Sequence, residues 1–308
     1  MTDNASYAIT PRRTPRSQRL VSSLCSLRTL WFKPFVHASI AAALLLTLAA
    51  GTAHAQDDPN PGAVTLTTGI DFPSVYFFRG IRQEADPALT TFAYGDVGLS
   101  LFSNDTGQSV SVNFGVWNSL HTGSSGTGAD PKKPSHYEED FYAILNFGVG
   151  HGITVSPFYT AYTSPNGSFP TVKEMAFKVA HASKFAPYGI VAFELSGQAD
   201  GGSEKGTYAE LGVAPSWPLG DRGITVGVPV KLGFSLKDYY ELAGTDNKFG
   251  YVDVGLLFTV PFSTAPTKFG TWNIHGGVDV LGFGDTTKSF NNGDGSQVIG
   301  SIGIGMTY

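Results

Sequence analysis

The sequence is poor in charged residues, in cysteine and in long apolar segments. Asp, Glu, Lys and Arg make up 15% of its 308 residues, and Cys25 is the only cysteine. A disulfide framework and a thiolate metal site both need several cysteines, so the sequence excludes them. No segment after residue 50 reaches the roughly 20 apolar residues that a bilayer-spanning helix needs, which excludes a helical membrane bundle.

The N-terminal region has the features of an export signal. An apolar run from Ala38 to Ala50 is followed by Ala53-His54-Ala55. Six basic residues precede the run: Arg12, Arg13, Arg16, Arg19, Arg28 and Lys33. This order predicts a secretory signal peptide over residues 1–55, cleaved after Ala55. A permanent anchor is the alternative, but an apolar run of about 13 residues is short for a bilayer.

Cleavage at this position leaves a mature chain without cysteine and with an acidic charge balance. Residues 56–308 contain 14 Lys and Arg against 24 Asp and Glu, a formal net charge of −10. Because an acidic exported chain binds nucleic acid poorly, we expect no nucleic-acid partner.

The mature chain is dominated by a two-residue alternation of apolar with small or polar side chains. Residues 224–236 are apolar at every even position, and among regular structures only a β-strand has this period. The pattern predicts twelve strands, at residues 64–82, 89–102, 109–120, 137–149, 152–163, 171–182, 188–198, 207–217, 223–236, 249–260, 270–281 and 297–308. Pro73 interrupts the first segment, which predicts either a bulge or two strands there.

Alternation alone does not distinguish a soluble β-sandwich from a membrane barrel. Here most charged residues within the predicted strands oppose the apolar row, and a lipid-facing Lys or Arg at the midplane would cost about 2 to 4 kcal/mol. The exceptions, Glu139, Lys173 and His181, lie at strand ends, where water and lipid headgroups reach them. We therefore predict that ten charged side chains line a lumen: Arg79, Asp96, Asp140, Glu174, Lys178, Glu194, Glu210, Lys231, Asp253 and Asp279.

The last strand and the connections favour the barrel. Ile302, Ile304, Met306 and the final residue Tyr308 alternate along the C-terminus, which resembles the signal that the barrel assembly machinery of Gram-negative bacteria reads. Short connections alternate with longer ones along the chain, as the periplasmic turns and outer loops of outer-membrane barrels do. We predict an all-β fold, a transmembrane antiparallel up-and-down barrel of about 12 strands in a Gram-negative outer membrane. A short periplasmic segment at 56–63 would precede the barrel at 64–308.

Three segments carry a resemblance to a known family. Residues 74–83 read SVYFFRGIRQ, with Pro87-Ala88 following; residues 114–119 read FGVWNS; and residues 139–142 read EDFY. They resemble the Y-x-F-R-G-I-x-Q…P opening, the G-x-W-x-S-N strand and the next acidic-aromatic strand start of the proteobacterial TorF-type porin family. Phe77 and Phe78 depart from it, since the family has one aromatic residue there. The resemblance covers about the first third of the barrel and implies a porin of unspecified solute.

No catalytic or metal-binding pattern stands out in the mature sequence. His181 and Ser183 come nearest to a base with a nucleophile, at a predicted periplasmic strand end. The other histidines are scattered without the spacing of a metal site. We therefore predict no enzymatic activity and no cofactor.

These features predict a passive pore. The interior of an eight-stranded barrel is filled by side chains, whereas a barrel of about sixteen strands leaves an aqueous channel. A barrel of about twelve strands is therefore predicted to have a narrow lumen for small polar solutes or ions. Acids outnumber the basic residues on the predicted wall, which favours a weak preference for cations. Residues 121–136, folded inward, could plug the lumen. The alternative is a closed structural or surface-interaction barrel that binds a partner through its outer loops. Either barrel would contact outer-membrane lipid and lipopolysaccharide.

Overall fold

The structure is a computed structural model that describes residues 62–125, 135–262 and 264–308. The predicted signal peptide, its cleavage after Ala55 and most of the segment at 56–63 lie outside the described residues, as does most of loop 121–136. Within the described ranges, no helix is long and apolar enough to cross a membrane.

Twelve antiparallel strands form a closed barrel. They are β1 (Val64–Pro73), β2 (Thr90–Ser103), β3 (Gln108–His121), β4 (His136–Gly150), β5 (Ile153–Thr163), β6 (Val172–His181), β7 (Tyr188–Ser196), β8 (Thr207–Val213 and Ser216–Pro218), β9 (Thr225–Gly227 and Val230–Lys237), β10 (Phe249–Pro261), β11 (Thr271–Phe283) and β12 (Ser296–Thr307). Each strand pairs with the next along the chain, and β1 pairs with β12, which closes the ring. The predicted 12-stranded antiparallel barrel is confirmed.

Two of the strands are interrupted beside a proline. Pro215 lies in the gap of β8 and Pro229 in the gap of β9. Because proline has no N–H group, it cannot donate a hydrogen bond to the ladder. The N–H of Gly255 still donates to the carbonyl of Pro229 at 2.8 Å, so pairing with β10 continues across the gap.

The alternation along each strand separates an apolar outer face from a polar inner face. On β10, Val254 and Leu256 are 43% and 45% exposed, whereas Asp253 is 8% exposed and forms an ion pair with Lys231 of β9 at 3.0 Å. Successive side chains of a strand point to opposite faces, so the apolar residues together make the outer belt that a bilayer requires.

The first strand ends well before the predicted position. β1 stops at Pro73, and Phe77–Phe78 then pairs with Ile81–Arg82 across a tight turn. In that turn Arg79 and Gly80 have φ of 47° and 80°. Pro73 has no N–H to continue the ladder and the positive φ values reverse the chain, so the prediction of a strand over 64–82 was wrong.

The connections differ at the two ends of the barrel. At the short-turn end they span 104–107, 151–152, 182–187, 219–224 and 262–270. At the long-loop end they span 74–89, 122–135, 164–171, 197–206, 238–248 and 284–295, the last of which contains a six-residue helix, α1 (Asp285–Phe290). Leu66 and Tyr308 exchange backbone hydrogen bonds of 2.8 Å at the short-turn end. The periplasmic placement of that end stays a prediction.

Replacing Val254 by Arg would place a cation in the middle of the apolar belt. We expect the free energy of unfolding in lipid vesicles to fall by about 2 to 4 kcal/mol. Val64→Arg is the matched control, because Val64 begins β1 at the short-turn end, where the loss should be about 0 to 1 kcal/mol. Urea titration followed by tryptophan fluorescence measures both. Equal losses would contradict a lipid-facing position for Val254.

Candidate functional site

Residues 74–86, called the lumen hairpin below, cross the interior of the barrel near its long-loop end. Arg79 donates to Glu174 on β6, and Arg82 donates to Gln297 on β12 at 3.0 Å. β6 and β12 are six strands apart in a ring of twelve, so they form opposite walls. The hairpin therefore spans the lumen from wall to wall.

Aromatic side chains of the lumen hairpin pack against aromatic side chains of the wall. The ring pairs are Tyr76 with Phe92 of β2 (5.0 Å between centroids), Tyr76 with Trp117 of β3 (5.4 Å), Phe78 with Tyr162 of β5 (5.3 Å) and Phe77 with Phe283 of β11 (5.5 Å). Such ring pairs contribute about 0.5 to 1.5 kcal/mol each beyond the area they bury. The hairpin is thus packed as part of the protein interior.

A bidentate salt bridge anchors the tip of the hairpin. The two terminal nitrogens of Arg79 donate to the two carboxylate oxygens of Glu174 at 2.7 and 2.9 Å, with side-chain exposures of 12% and 2%. The guanidinium also lies 4.1 Å from the ring centroid of Tyr208 and donates to the Tyr239 hydroxyl. Burial alone would lower the pKa of Arg79, but the adjacent Glu174 carboxylate outweighs it and raises that pKa above its usual range.

Two other loops cover the hairpin turn from the long-loop end. The hydroxyl of Tyr240 donates to the carbonyl of Arg79 at 2.9 Å, and the side-chain amide of Asn291 donates to the carbonyl of Gly80 at 2.8 Å. Asn291 also accepts from the N–H of Arg82 at 2.9 Å. Tyr240 and Asn291 are fully buried. Backbone groups removed from water need such partners, so these side chains make the inward fold of the hairpin possible.

The C-terminal part of the hairpin is held by a buried acid. Glu84 accepts from the N–H of Tyr76 at 2.9 Å and from the Thr90 hydroxyl at 2.7 Å. Burial raises the pKa of the Glu84 carboxyl above its usual range, although both hydrogen bonds act in the opposite direction. Gln83 accepts from the hydroxyl of Tyr137 at 2.6 Å, which ties the hairpin to β4.

Ser119, His121 and Glu84 lie in an order that resembles a catalytic triad. Ser119 Oγ is 2.6 Å from His121 Nε2, but His121 Nδ1 is 3.7 Å from Glu84 Oε1, beyond hydrogen-bond distance. None of the three is more than 1% exposed, so a substrate has no access to the hydroxyl. Their contacts pack the hairpin against β3. His181, the last residue of β6, and Ser183, in the turn that follows, are both exposed.

The predicted lumen residues lie on the inner face of the wall, except Arg79. They are Asp96 on β2, Asp140 on β4, Glu174 and Lys178 on β6, Glu194 on β7, Glu210 on β8, Lys231 on β9, Asp253 on β10 and Asp279 on β11. The structure pairs Arg79 with Glu174 and Lys231 with Asp253. Arg79 lies in the hairpin turn and not on the wall, because β1 ends at Pro73.

Tyrosine hydroxyls and backbone amides hold several of these acids. Glu210 accepts from the hydroxyls of Tyr188, Tyr208 and Tyr251 at 2.7, 2.6 and 3.1 Å. Glu194 accepts from the backbone N–H groups of Ala199 and Gly206, both at 2.6 Å, and so shapes the loop at 197–206. The acids of the wall therefore do not all face open water.

Sequence reasoning missed the residues that cover the hairpin. Tyr239 and Tyr240 are adjacent aromatic residues in a connection that is otherwise mostly polar, and this was the available signal. It also missed the hydrogen-bonding contact between His275 Nε2 and Asp71 Oδ1, 2.7 Å apart inside the barrel. Nothing in the local pattern indicates Asn291, whose role depends on a hairpin more than 200 residues earlier in the chain.

The C-terminal strand lies at the seam of the barrel. Ile302 pairs with Phe72 of β1 and Ile304 with Ile70, with both isoleucines exposed on the outer face. Met306 pairs with Thr68 of β1, and the backbone of Tyr308, just after β12, exchanges hydrogen bonds with that of Leu66. Recognition of this strand by the assembly machinery stays a prediction.

A cavity of about 480 Å³ lies beside the lumen hairpin. It is lined by Tyr76 and Phe78 of the hairpin and by Trp117, Asp140, Tyr142, Ile144, Phe158, Thr160 and Tyr162 of the wall. Among the described residues, no group of three or more His, Cys, Asp or Glu side chains could hold a metal ion.

No protein-family model matches the sequence, and no curated protein is similar to it in sequence. Among solved structures, the chain is similar to the NanC porin, at 14% identity and a TM-score of 0.39, over 78% of this chain and 98% of that one. It is also similar to the KdgM porin (7%, TM-score 0.35, 79% and 99%) and to LpxR from Salmonella typhimurium (9%, TM-score 0.38, 79% and 99%). These similarities are too distant to bear on function, and the barrel architecture follows from the strand pairing of this chain.

Glu174→Gln should loosen the lumen hairpin, because it leaves the Arg79 cation buried without its partner. Breaking a buried ion pair in this way costs about 3 to 5 kcal/mol. We expect faster hydrogen exchange across residues 74–86 and a lower free energy of unfolding. The double variant Arg79→Gln/Glu174→Gln removes both charges and should lose less than Glu174→Gln alone. A double variant that loses as much as the sum of the two single variants would contradict the pairing.

Proposed function

We propose that the protein is an outer-membrane porin through which small polar solutes or ions diffuse passively. The observation that supports this most is a closed barrel with an apolar outer belt and charged residues on its inner face, including the pair Lys231 and Asp253. Such a wall is stable only if water or polar groups occupy the lumen, because unpaired charge in an apolar interior is costly.

The lumen hairpin sets the width of the proposed pore. Twelve strands lie between the eight that side chains fill and the sixteen or more of open channels. The hairpin reduces the lumen further at the long-loop end, since it reaches both β6 and β12. We therefore expect a small conductance and passage of small solutes only.

The family resemblance supports the same proposal. The Y-x-F-R-G-I-x-Q motif coincides with the lumen hairpin, and its Arg79 and Gly80 are the two residues of the turn. The motif thus specifies the element that narrows the pore. On this proposal the barrel lies in the outer membrane of a Gram-negative bacterium, in contact with lipid and lipopolysaccharide, and is inserted there by the assembly machinery.

One observation favours a second candidate, a closed structural or surface-interaction barrel. The hairpin packs against several strands of the barrel wall, and the fully buried side chains of Tyr240 and Asn291 cover its turn. A barrel sealed in this way would present its outer loops to a partner and conduct nothing.

Single-channel recordings separate the two candidates. The chain, produced with its own leader and purified from membranes, is placed in a planar bilayer under asymmetric salt. For a porin we expect discrete steps, with larger steps for Glu174→Gln because the hairpin is released. Asp285→Asn is the control, since Asp285 lies exposed on α1 and should leave the steps unchanged. No conductance in the native protein, once heat-modifiable gel migration shows it folded, would favour the closed barrel.

The inner acids should determine ion selectivity. Replacing Glu210 by Gln and Asp253 by Asn removes two negative charges and leaves the Lys231 cation unpaired, so the reversal potential should shift toward anions. Asp285→Asn again serves as the control outside the lumen. An unchanged reversal potential in the double variant would contradict a role of the inner acids in selectivity.

A further inference from the structure

The cavity beside the lumen hairpin combines aromatic walls with a single charged residue. Its volume of about 480 Å³ falls within the range of small-molecule sites, about 300 to 1,000 Å³. Six of its lining residues are aromatic: Tyr76, Phe78, Trp117, Tyr142, Phe158 and Tyr162. Asp140 is the one charged side chain among them. The site is therefore built for a ligand with an apolar body.

No basic side chain in the described part of the protein forms an ion pair with the carboxyl group of Asp140. Asp140 is 8% exposed, and its Oδ1 has no hydrogen-bond partner. Glu138, two residues earlier on the same strand face, is 4% exposed and also lacks an ion pair. An ionised carboxylate buried without a cation is unfavourable, so a cation that enters the cavity and allows Asp140 to ionise is favoured over a neutral or an anionic ligand.

The lumen already contains a cation held by the same chemistry. Arg79 lies 4.9 Å from the ring centroid of Phe78 and 4.1 Å from that of Tyr208, with Glu174 as its counter-ion. Aromatic faces attract cations through the ring quadrupole, more strongly where water is excluded. Because both terminal nitrogens of Arg79 donate to Glu174, the guanidinium is not free to pair with Asp140.

We propose that this cavity binds a small organic cation, a primary ammonium group joined to a flat apolar body. The ammonium compensates Asp140, and the body packs between Trp117, Phe158 and the rings of the hairpin. The assignment deepens the proposed function, since it names a solute class for the same lumen and rests on that lumen being accessible. Binding is measured without conduction, so the two proposals can fail separately.

Trp117 provides the probe. The mature chain contains two other tryptophans, and the variant Trp217→Phe/Trp272→Phe leaves Trp117 as its single tryptophan, which is excited selectively at the red edge of its absorption. This protein, folded in detergent, is titrated with phenethylammonium, with neutral 2-phenylethanol and with anionic 3-phenylpropanoate. We expect a saturable change in Trp117 emission with phenethylammonium and at least tenfold weaker binding of the other two.

Three further variants test the role of the site. Asp140→Asn should weaken phenethylammonium binding about tenfold and leave 2-phenylethanol unchanged, and Asp279→Asn, an inner acid outside the cavity, should change neither. Ile144→Trp fills the cavity without changing its charge and should abolish binding of all three probes. The proposal would be overturned by equal affinity for the three probes or by an unchanged phenethylammonium affinity in Asp140→Asn. The absence of a saturable response by both fluorescence and calorimetry would also overturn it. Binding in a protein that does not conduct would overturn the porin and leave the site standing.

Discussion

The fit between Arg79 and Glu174 is the constraint on which the interior of this barrel depends. A guanidinium carried into the lumen loses its water, and only a carboxylate that meets it with two parallel hydrogen bonds offsets that loss. Tyr162 donates to the same carboxylate at 2.9 Å and Tyr239 accepts from the guanidinium. The buried hydroxyls of Tyr162 and Tyr239 thus complete the hydrogen bonding of the one ion pair that the inward-pointing arginine makes with the wall.

The apolar and aromatic side chains of the barrel are clustered in two separate regions. The outer belt is continuous and exposed, as a lipid-facing surface requires. A second cluster lies inside at the long-loop end, formed by Ile81, Ala176, Ala192, Tyr208, Tyr239, Tyr240 and Tyr251. This inner cluster is the packed core of the protein, and the hairpin contributes Ile81 to it. The acids and lysines nearer the short-turn end line the rest of the interior.

The two-residue alternation and the position of charged residues opposite the apolar row predicted the strands, because both patterns are local properties of the chain. The hairpin was not predictable in the same way, since Tyr76, Phe77, Phe78 and Ile81 together read as a continuation of β1. Pro73 and Gly80 marked the break, but the inward direction depends on partners such as Glu174 and Gln297, which are 95 and 215 residues away in sequence. For the same reason the alternation along each strand could predict an inner face for the acids, while their pairing with Lys231 or with tyrosines followed only from the register of neighbouring strands.

The position of the hairpin in the chain has a consequence for the order of assembly. It is the first connection of the barrel to be synthesised, yet Glu174, Tyr239 and Asn291 are all made later, and Gln297 belongs to the last strand. The hairpin therefore reaches its final place only once β12 is present to meet β1. Closure of the seam and completion of the hairpin contacts are therefore linked, because both require β12.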